Sequence, residues 1–500
     1  MAPPSTALSA RPAWVPAWDS LPARDQAVAA RFMECFAGFL SHADAQVGRL
    51  LDFLRERGEL DNTVVCVVSD NGASSEGGAE GSINDIRLQN LDPAGPDEMA
   101  ARIDEIGGPL THNNYPWGWT MAGNTPFRRW KREVHEGGVA DPCILAWPAG
   151  TASGLVQPGA IRHQFAHAID VLPTVLELTG VPAPADLDGV EQTAFDGVSF
   201  GYLLAPDGAA SDERHETQYC EMLGSRAIYH RGWKAVTFHP VGPLYDDQNP
   251  NAPFDEDVWE LYDVTSDLSE TRDLAAQHPE KVAELVDLWW QEARRNQVLP
   301  LDNRPLWALV HPKPDRRRPR SEYRYAQGGA PVPEAVAVNV RNRSHVLVVD
   351  FVVRDSPDGV LLALGSALGG WSLHILDGLP RYVHNLYGKE RHVIASAAVV
   401  TAGEHRLEYE FTKDDGLGGT GVLRFDEAEV GRGAIPRFTP SGFTGTGVGL
   451  TCGYEWGPAV GAGYTAPFAF PGVIRRAIVR TTGPVVRDPL AELEAILAEQ

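Results

Sequence analysis

The sequence lacks any apolar run long enough to span a bilayer, and its opening, MAPPSTALSARPAWVPAWDS, lacks a charged region followed by an apolar core. These absences exclude a transmembrane anchor and a recognisable secretion signal, so the chain as written is expected to be cytoplasmic. A periplasmic or secreted location stays open if the true start lies upstream. Cysteine is scarce: Cys35, Cys66, Cys143, Cys220 and Cys452 are the five present, too widely spaced for a disulfide framework or a zinc pattern. They read as free thiols. Positive charge is also in deficit, with 43 Lys and Arg against 67 Asp and Glu and a formal net charge of −24. That balance argues against nucleic acid or an anionic membrane as a partner. What is present is ample apolar content, 43% over 500 residues, enough to bury more than one core.

The most informative stretch is Thr63–Glu76, TVVCVVSDNGASSE. Its apolar run Val64–Val68 is rich in β-branched residues and predicts a strand buried on both faces of a parallel sheet. Ligands bind beyond the carboxyl ends of such strands, where Asp70 and Asn71 stand. A carboxylate and an amide oxygen without imidazole or thiolate favour calcium, or less readily magnesium, over zinc; Gly72 would let the backbone turn near the ion. An ordinary Asp-Asn-Gly turn is the alternative. Further on, PFRRWKREVHEGGVADPCILAWP (Pro126–Pro148) places Lys131 on a loop before a second apolar run. A cation there can neutralise a tetrahedral oxyanion by charge-assisted bonds. Arg129 and Arg132 flank it, and a solvated basic loop is the plainer alternative.

Around these motifs lie helical patterns. Apolar residues at Phe32, Cys35, Phe36, Phe39, Leu40, Ala43, Val47, Leu50, Leu51 and Leu54 form a stripe predicting a core-facing helix over Arg31–Leu54. Asp170-Val-Leu-Pro-Thr174 reads as an N-cap with proline in the first turn, and Gly180 as the stop. His112, His135, His163 and His167 read as structural histidines outside the site.

Together, Asp70-Asn71, Lys131 with Glu136-Gly-Gly138, Asp170–Thr174, and Trp259–Asp263 running on to Glu270–Leu274 resemble, in that order, the later part of a sulfatase, in particular the bacterial arylsulfatases of the alkaline phosphatase superfamily. The resemblance covers about residues 20–300. It implies an α/β sulfatase-like fold, N-terminally incomplete, and hydrolysis of a sulfate monoester of a small molecule or glycan. It implies a calcium ion held partly by Asp70 and Asn71, and a sulfate contact from Lys131, which would serve substrate binding and catalysis. The family's formylglycine nucleophile arises from C-x-P-x-R or S-x-P-x-R. The cysteine form is absent, and Ser20-Leu-Pro-Ala-Arg24 reads as a chance match without the downstream Leu-x-Thr-Gly. The chain is therefore expected to be a truncated sulfatase, inactive alone. A phosphonate monoester hydrolase or phosphodiesterase of the same superfamily and a non-catalytic anion- or glycan-binding remnant are the competing readings.

Beyond this region the pattern changes. Residues 1–304 are expected to form the α/β part, the Pro- and Arg-rich 305–333 a linker, and 334–500 an all-β sandwich-like domain. Strands are predicted at Val346–Val353, Gly359–Leu364, Trp371–Leu376, His392–Val400, His405–Phe411 and Gly421–Phe425, separated by turns such as Asp377-Gly378. Trp371 or Tyr387 could contact a glycan, although aromatics in a sandwich usually build its core. Asp488-Pro-Leu predicts a short closing helix.

Overall fold

The computed structural model describes residues 8–90, 92–239, 253–301, 321–439 and 442–482. The chain divides into two compact units: Met1–Trp18, Phe36–Ser75 and Trp117–His311 form the first, and Asp19–Cys35, Glu76–Pro116 and Pro312–Gln500 the second. Among the described residues no helix is long and apolar enough to cross a membrane.

In the first unit an antiparallel sheet runs in the order Thr217–Met222, Ser225–His230, Trp233–Thr237, Glu260–Asp263. The helix Pro279–Arg295 closes one face, sealing Leu285, Trp289 and Ala293 against Ile228, Ala235 and Leu261. Burial of such side chains contributes roughly 1.5–3 kcal/mol each. The expected Trp259–Asp263 strand and following helix are thus both present. The Val65–Val68 strand differs from its prediction. It pairs antiparallel with Cys143–Ala146 as a two-stranded ladder, leaving Val67 and Val68 about half exposed at 50% and 51%. The run is apolar enough for a central strand, but among the described residues each strand of the ladder has only the other as a neighbour. The long helix forms over Ala23–Glu56, yet Phe36, Phe39, Leu40, Val47 and Leu50 are exposed instead of facing a core. Helical periodicity is a local property, whereas burial needs a covering element.

Residue Gly180 ends the helix Val171–Thr179 in the left-handed conformation, as expected. Asp170 does not cap that helix through its side chain. Its buried carboxylate instead accepts the backbone N–H groups of His167 and Val198, each at 2.7 Å, and meets His215 Nδ1 at 2.8 Å.

The second unit is an antiparallel β structure of two sheets around one core. One sheet has the order Ala428–Ile435, Gly419–Phe425, Gly403–Lys413, His345–Val353, Val473–Thr481, Glu322–Tyr325; the other runs Glu390–Ala395, Leu379–Leu386, Gly369–Leu376, Gly359–Ser366, Leu450–Cys452. Alternation places Leu407, Tyr409 and Phe411 in that core with Leu347, Leu362 and Leu373. Asp377 and Gly378, both at positive φ, turn the chain between the Gly369–Leu376 and Leu379–Leu386 strands, and the Asp358 carboxylate accepts both of their N–H groups. Trp371 and Tyr387 are 1% and 2% exposed, so they are packing residues and not a glycan platform. The segment Glu76–Pro116 packs within this unit: Asn84 Nδ2 donates to the carbonyls of Leu368 and Tyr387 at 3.0 and 2.9 Å, and Lys389 pairs with Asp92 at 3.1 Å. Most of the 305–333 stretch and the closing helix at Asp488 lie outside the described residues.

Candidate active site

The strand Val65–Val68 delivers Asp70 to an exposed position, with Asn71 half-buried behind it. The next residue explains the glycine. Gly72 has no unusual φ; a Cβ there would lie 1.8 Å from the carbonyl oxygen of Gly137. It is required by backbone crowding, not by a turn around an ion. Gly137 is equally confined, since a Cβ on it would stand 2.2 Å from the carbonyls of Arg128 and Arg129. Glu136-Gly-Gly138 therefore lets two loops touch main chain to main chain.

Asn124, at the end of the helix Trp117–Asn124, holds the contact. Its Oδ1 accepts the N–H of Ala73 at 2.9 Å, and its Nδ2 donates to the carbonyls of Arg129 at 2.8 Å and Gly137 at 2.6 Å. The N–H of Lys131 then donates to the Ala73 carbonyl at 3.2 Å. The structure thus brings the Asp70-Asn71 loop and the Lys131 loop together through their backbones. Lys131 itself is half-buried. Sequence reasoning missed Asn124; its position just before the Thr125-Pro126 break was the available signal.

A buried ionic network backs the Lys131 loop. Lys234, on the strand Trp233–Thr237, reaches Glu136 at 2.6 Å and Glu270 at 3.0 Å, and Glu270 also accepts the N–H of Glu136 at 2.7 Å. Burial opposes the charge of Lys234, but the two carboxylates override it and raise its pKa. Arg128 pairs with Glu260 at 2.9 Å and with the Tyr262 hydroxyl, while His135 Nε2 meets Glu260 at 2.9 Å. Burial holds His135 neutral, down to about 4. Glu133 is buried with both carboxylate oxygens unpartnered among the described residues, and burial pushes it up to about 7 against the opposing charges of Arg129 and Arg128. The Glu270–Leu274 segment is thereby tied to Glu136-Gly-Gly138 by direct bonds. Of the other histidines, His112 lies beside Asp85 at 3.5 Å, and His163 is exposed.

The donor chemistry at Asp70 and Asn71 is of the hard-oxygen type. Asp141 adds a carboxyl pushed up to about 6 by burial and by the charge of Asp70. Yet among the described residues no group of three His, Cys, Asp or Glu could hold a metal ion. Calcium takes roughly six to eight oxygens. The residues present match calcium in kind but fall short in number.

Known proteins similar to this chain include sulfatases. The sulfatase family profile matches residues 8–181. An uncharacterized sulfatase of Schizosaccharomyces pombe is 30% identical over 286 residues, covering 54% of this chain and 45% of that protein. The steryl-sulfatase of Mus musculus is 26% identical over 55% of this chain and 38% of its own length. The arylsulfatase of Klebsiella aerogenes is 24% identical over 33% of each. The chain spans less than half the length of these relatives. Through residues 8–181, this chain is similar to the sulfatase family.

Proposed function

We propose that the first unit carries the sulfate-holding part of a sulfuric ester hydrolase acting on a sulfate monoester of a small molecule or glycan. The observation that supports it best is the junction made by Asn124, which sets Asp70-Asn71 and Lys131 on adjoining backbone. In this reading Lys131 neutralises sulfate oxygens in binding and in catalysis, since charge-assisted bonds to an ammonium strengthen as negative charge accumulates. Asp70 and Asn71 contribute two oxygens toward a calcium ion, whose part would be to polarise the sulfate. In this reading the chain corresponds to the later part of a sulfatase catalytic domain.

Because the sequence has no convincing formylglycine motif, the chain alone is expected to bind sulfate without turning over 4-nitrophenyl sulfate. Titration of the full chain with inorganic sulfate, with and without calcium, tests this. Lys131→Ala should weaken binding at least tenfold, and calcium should strengthen it. Equal sulfate affinity in wild type and Lys131→Ala would refute the assignment. Stronger binding of a phosphonate than of sulfate would favour the phosphonate-hydrolase reading.

A further inference from the structure

A cavity of about 470 Å³ opens in the first unit on the loop that leads to Lys131, lined in part by Trp14, Phe127, Trp130, Arg11, Arg129 and Glu270. Its size falls within the roughly 300–1,000 Å³ of small-molecule sites. Neither Asp70 nor Lys131 lines it. The apolar part of the wall is aromatic: Trp14 meets Trp130 edge to face with centroids 5.5 Å apart. Trp130 is buried, and its indole N–H has no partner among the described residues. Such a wall favours a flat π-system over an aliphatic chain, because rings pack offset or edge-on against one another.

The polar part of the wall carries surplus positive charge. Arg128 is committed to Glu260 and Tyr262, and the Glu270 carboxylate is engaged by Lys234 and the Glu136 N–H. Among the described residues, Arg11 donates only to the carbonyls of Val15 and Pro12. Arg129 lies over the ring of Phe238 at 5.1 Å, and its backbone is held at a φ of 64°. Glu133 senses Arg129 electrostatically, but no hydrogen bond joins them. Among the described residues, neither Arg11 nor Arg129 has a carboxylate within ion-pair distance. Guanidinium groups beside an aromatic wall match a planar anion, which each can bind bidentately.

We propose that this cavity binds an aromatic anion, with its ring among Trp14, Phe127 and Trp130 and its charged group on Arg129 and Arg11, at a site separate from Lys131. The assignment stands independently of sulfate ester hydrolysis. It is tested by titrating the full chain with 2-naphthoate, a planar aromatic carboxylate, followed by calorimetry and tryptophan fluorescence. Saturable binding is expected, weakened about tenfold in Arg129→Gln and in Arg11→Gln. Neutral 2-naphthol should bind at least tenfold more weakly. Absence of saturable binding overturns the proposal, as does binding lost in Lys131→Ala but retained in Arg129→Gln. If Arg129→Gln does not fold, Arg11→Gln and Trp14→Leu carry the test, and full affinity in both overturns it.

Discussion

Replacing Asn124 with alanine removes three bonds at once, to the Ala73 N–H and to the carbonyls of Arg129 and Gly137. Each intramolecular hydrogen bond contributes a net of about 0.5–1.5 kcal/mol, and a donor or acceptor left buried and unsatisfied costs about 1–3 kcal/mol. Asn124 is half-buried, so water can reach part of what it abandons. The lower part of the summed range, about 2 kcal/mol, is therefore the expected loss. Asn124→Asp separates bonding from volume. It keeps an acceptor for the Ala73 N–H but turns an oxygen toward two carbonyls, so it should be at least as damaging as alanine. Urea unfolding gives the stability change, and amide hydrogen exchange gives its location. Protection should fall in peptides covering residues 71–75 and 129–138 and stay unchanged in the strand Val473–Thr481. A loss under about 0.5 kcal/mol in both variants, with exchange unaltered, would falsify the claim that this side chain joins the two loops.

Gly72→Ala should destabilise by roughly 1–3 kcal/mol or more, because its Cβ would collide with the Gly137 carbonyl; Gly38→Ala, with open space around it on the long helix, should stabilise by about 0.5–1 kcal/mol. Thermal melts of the pair distinguish crowding from intrinsic propensity. Lys234→Met leaves the Glu136 and Glu270 carboxylates without their buried cation and should cost about 3–5 kcal/mol, whereas a loss under 1 kcal/mol would show that the network is not coupled. In the second unit, burial lowers His345 to about 4 and His374 and His384 to about 3. The unfolded chain takes up more protons than the folded one below the usual histidine value. Their stabilisation is therefore complete above about pH 6.5 and declines as pH falls toward those folded values, by roughly 3 kcal/mol per histidine near pH 4. Glu455, raised by burial to about 7, acts in the opposite direction by about as much as one histidine. Urea titrations at pH 7.5 and 4.5, followed by amide exchange of the second-unit strands His345–Val353 and Leu379–Leu386, should show a large net loss there, and equal midpoints for those strands would contradict the burial argument.

Much of the architecture follows from short-range chemistry. Alternation at Leu407, Tyr409 and Phe411 and the turn at Asp377-Gly378 identify strands and a hairpin, because side-chain period and positive φ are local properties. The strands Leu379–Leu386 and Val473–Thr481 were not anticipated; they carry polar and charged residues such as Arg381, Asn385, Arg475 and Arg476 that mask the apolar signal. The motifs at Asp70-Asn71, Lys131 and Glu136-Gly-Gly138 were legible as an ordered set, but their physical linkage was not. It runs through Asn124, Lys234 and Glu270, at sequence separations of 51, 98 and 134 residues.

The sequence by itself determined the resemblance to sulfatases and the helix and strand periods, since these rest on local order and composition. Tertiary structure alone decided that Val65–Val68 pairs antiparallel with Cys143–Ala146 instead of lying in a parallel sheet, that Asp170 serves His215 instead of capping a helix, and that Gly72 exists to admit the Gly137 carbonyl. Each of those outcomes depends on which distant backbone arrives alongside, and no local pattern encodes that.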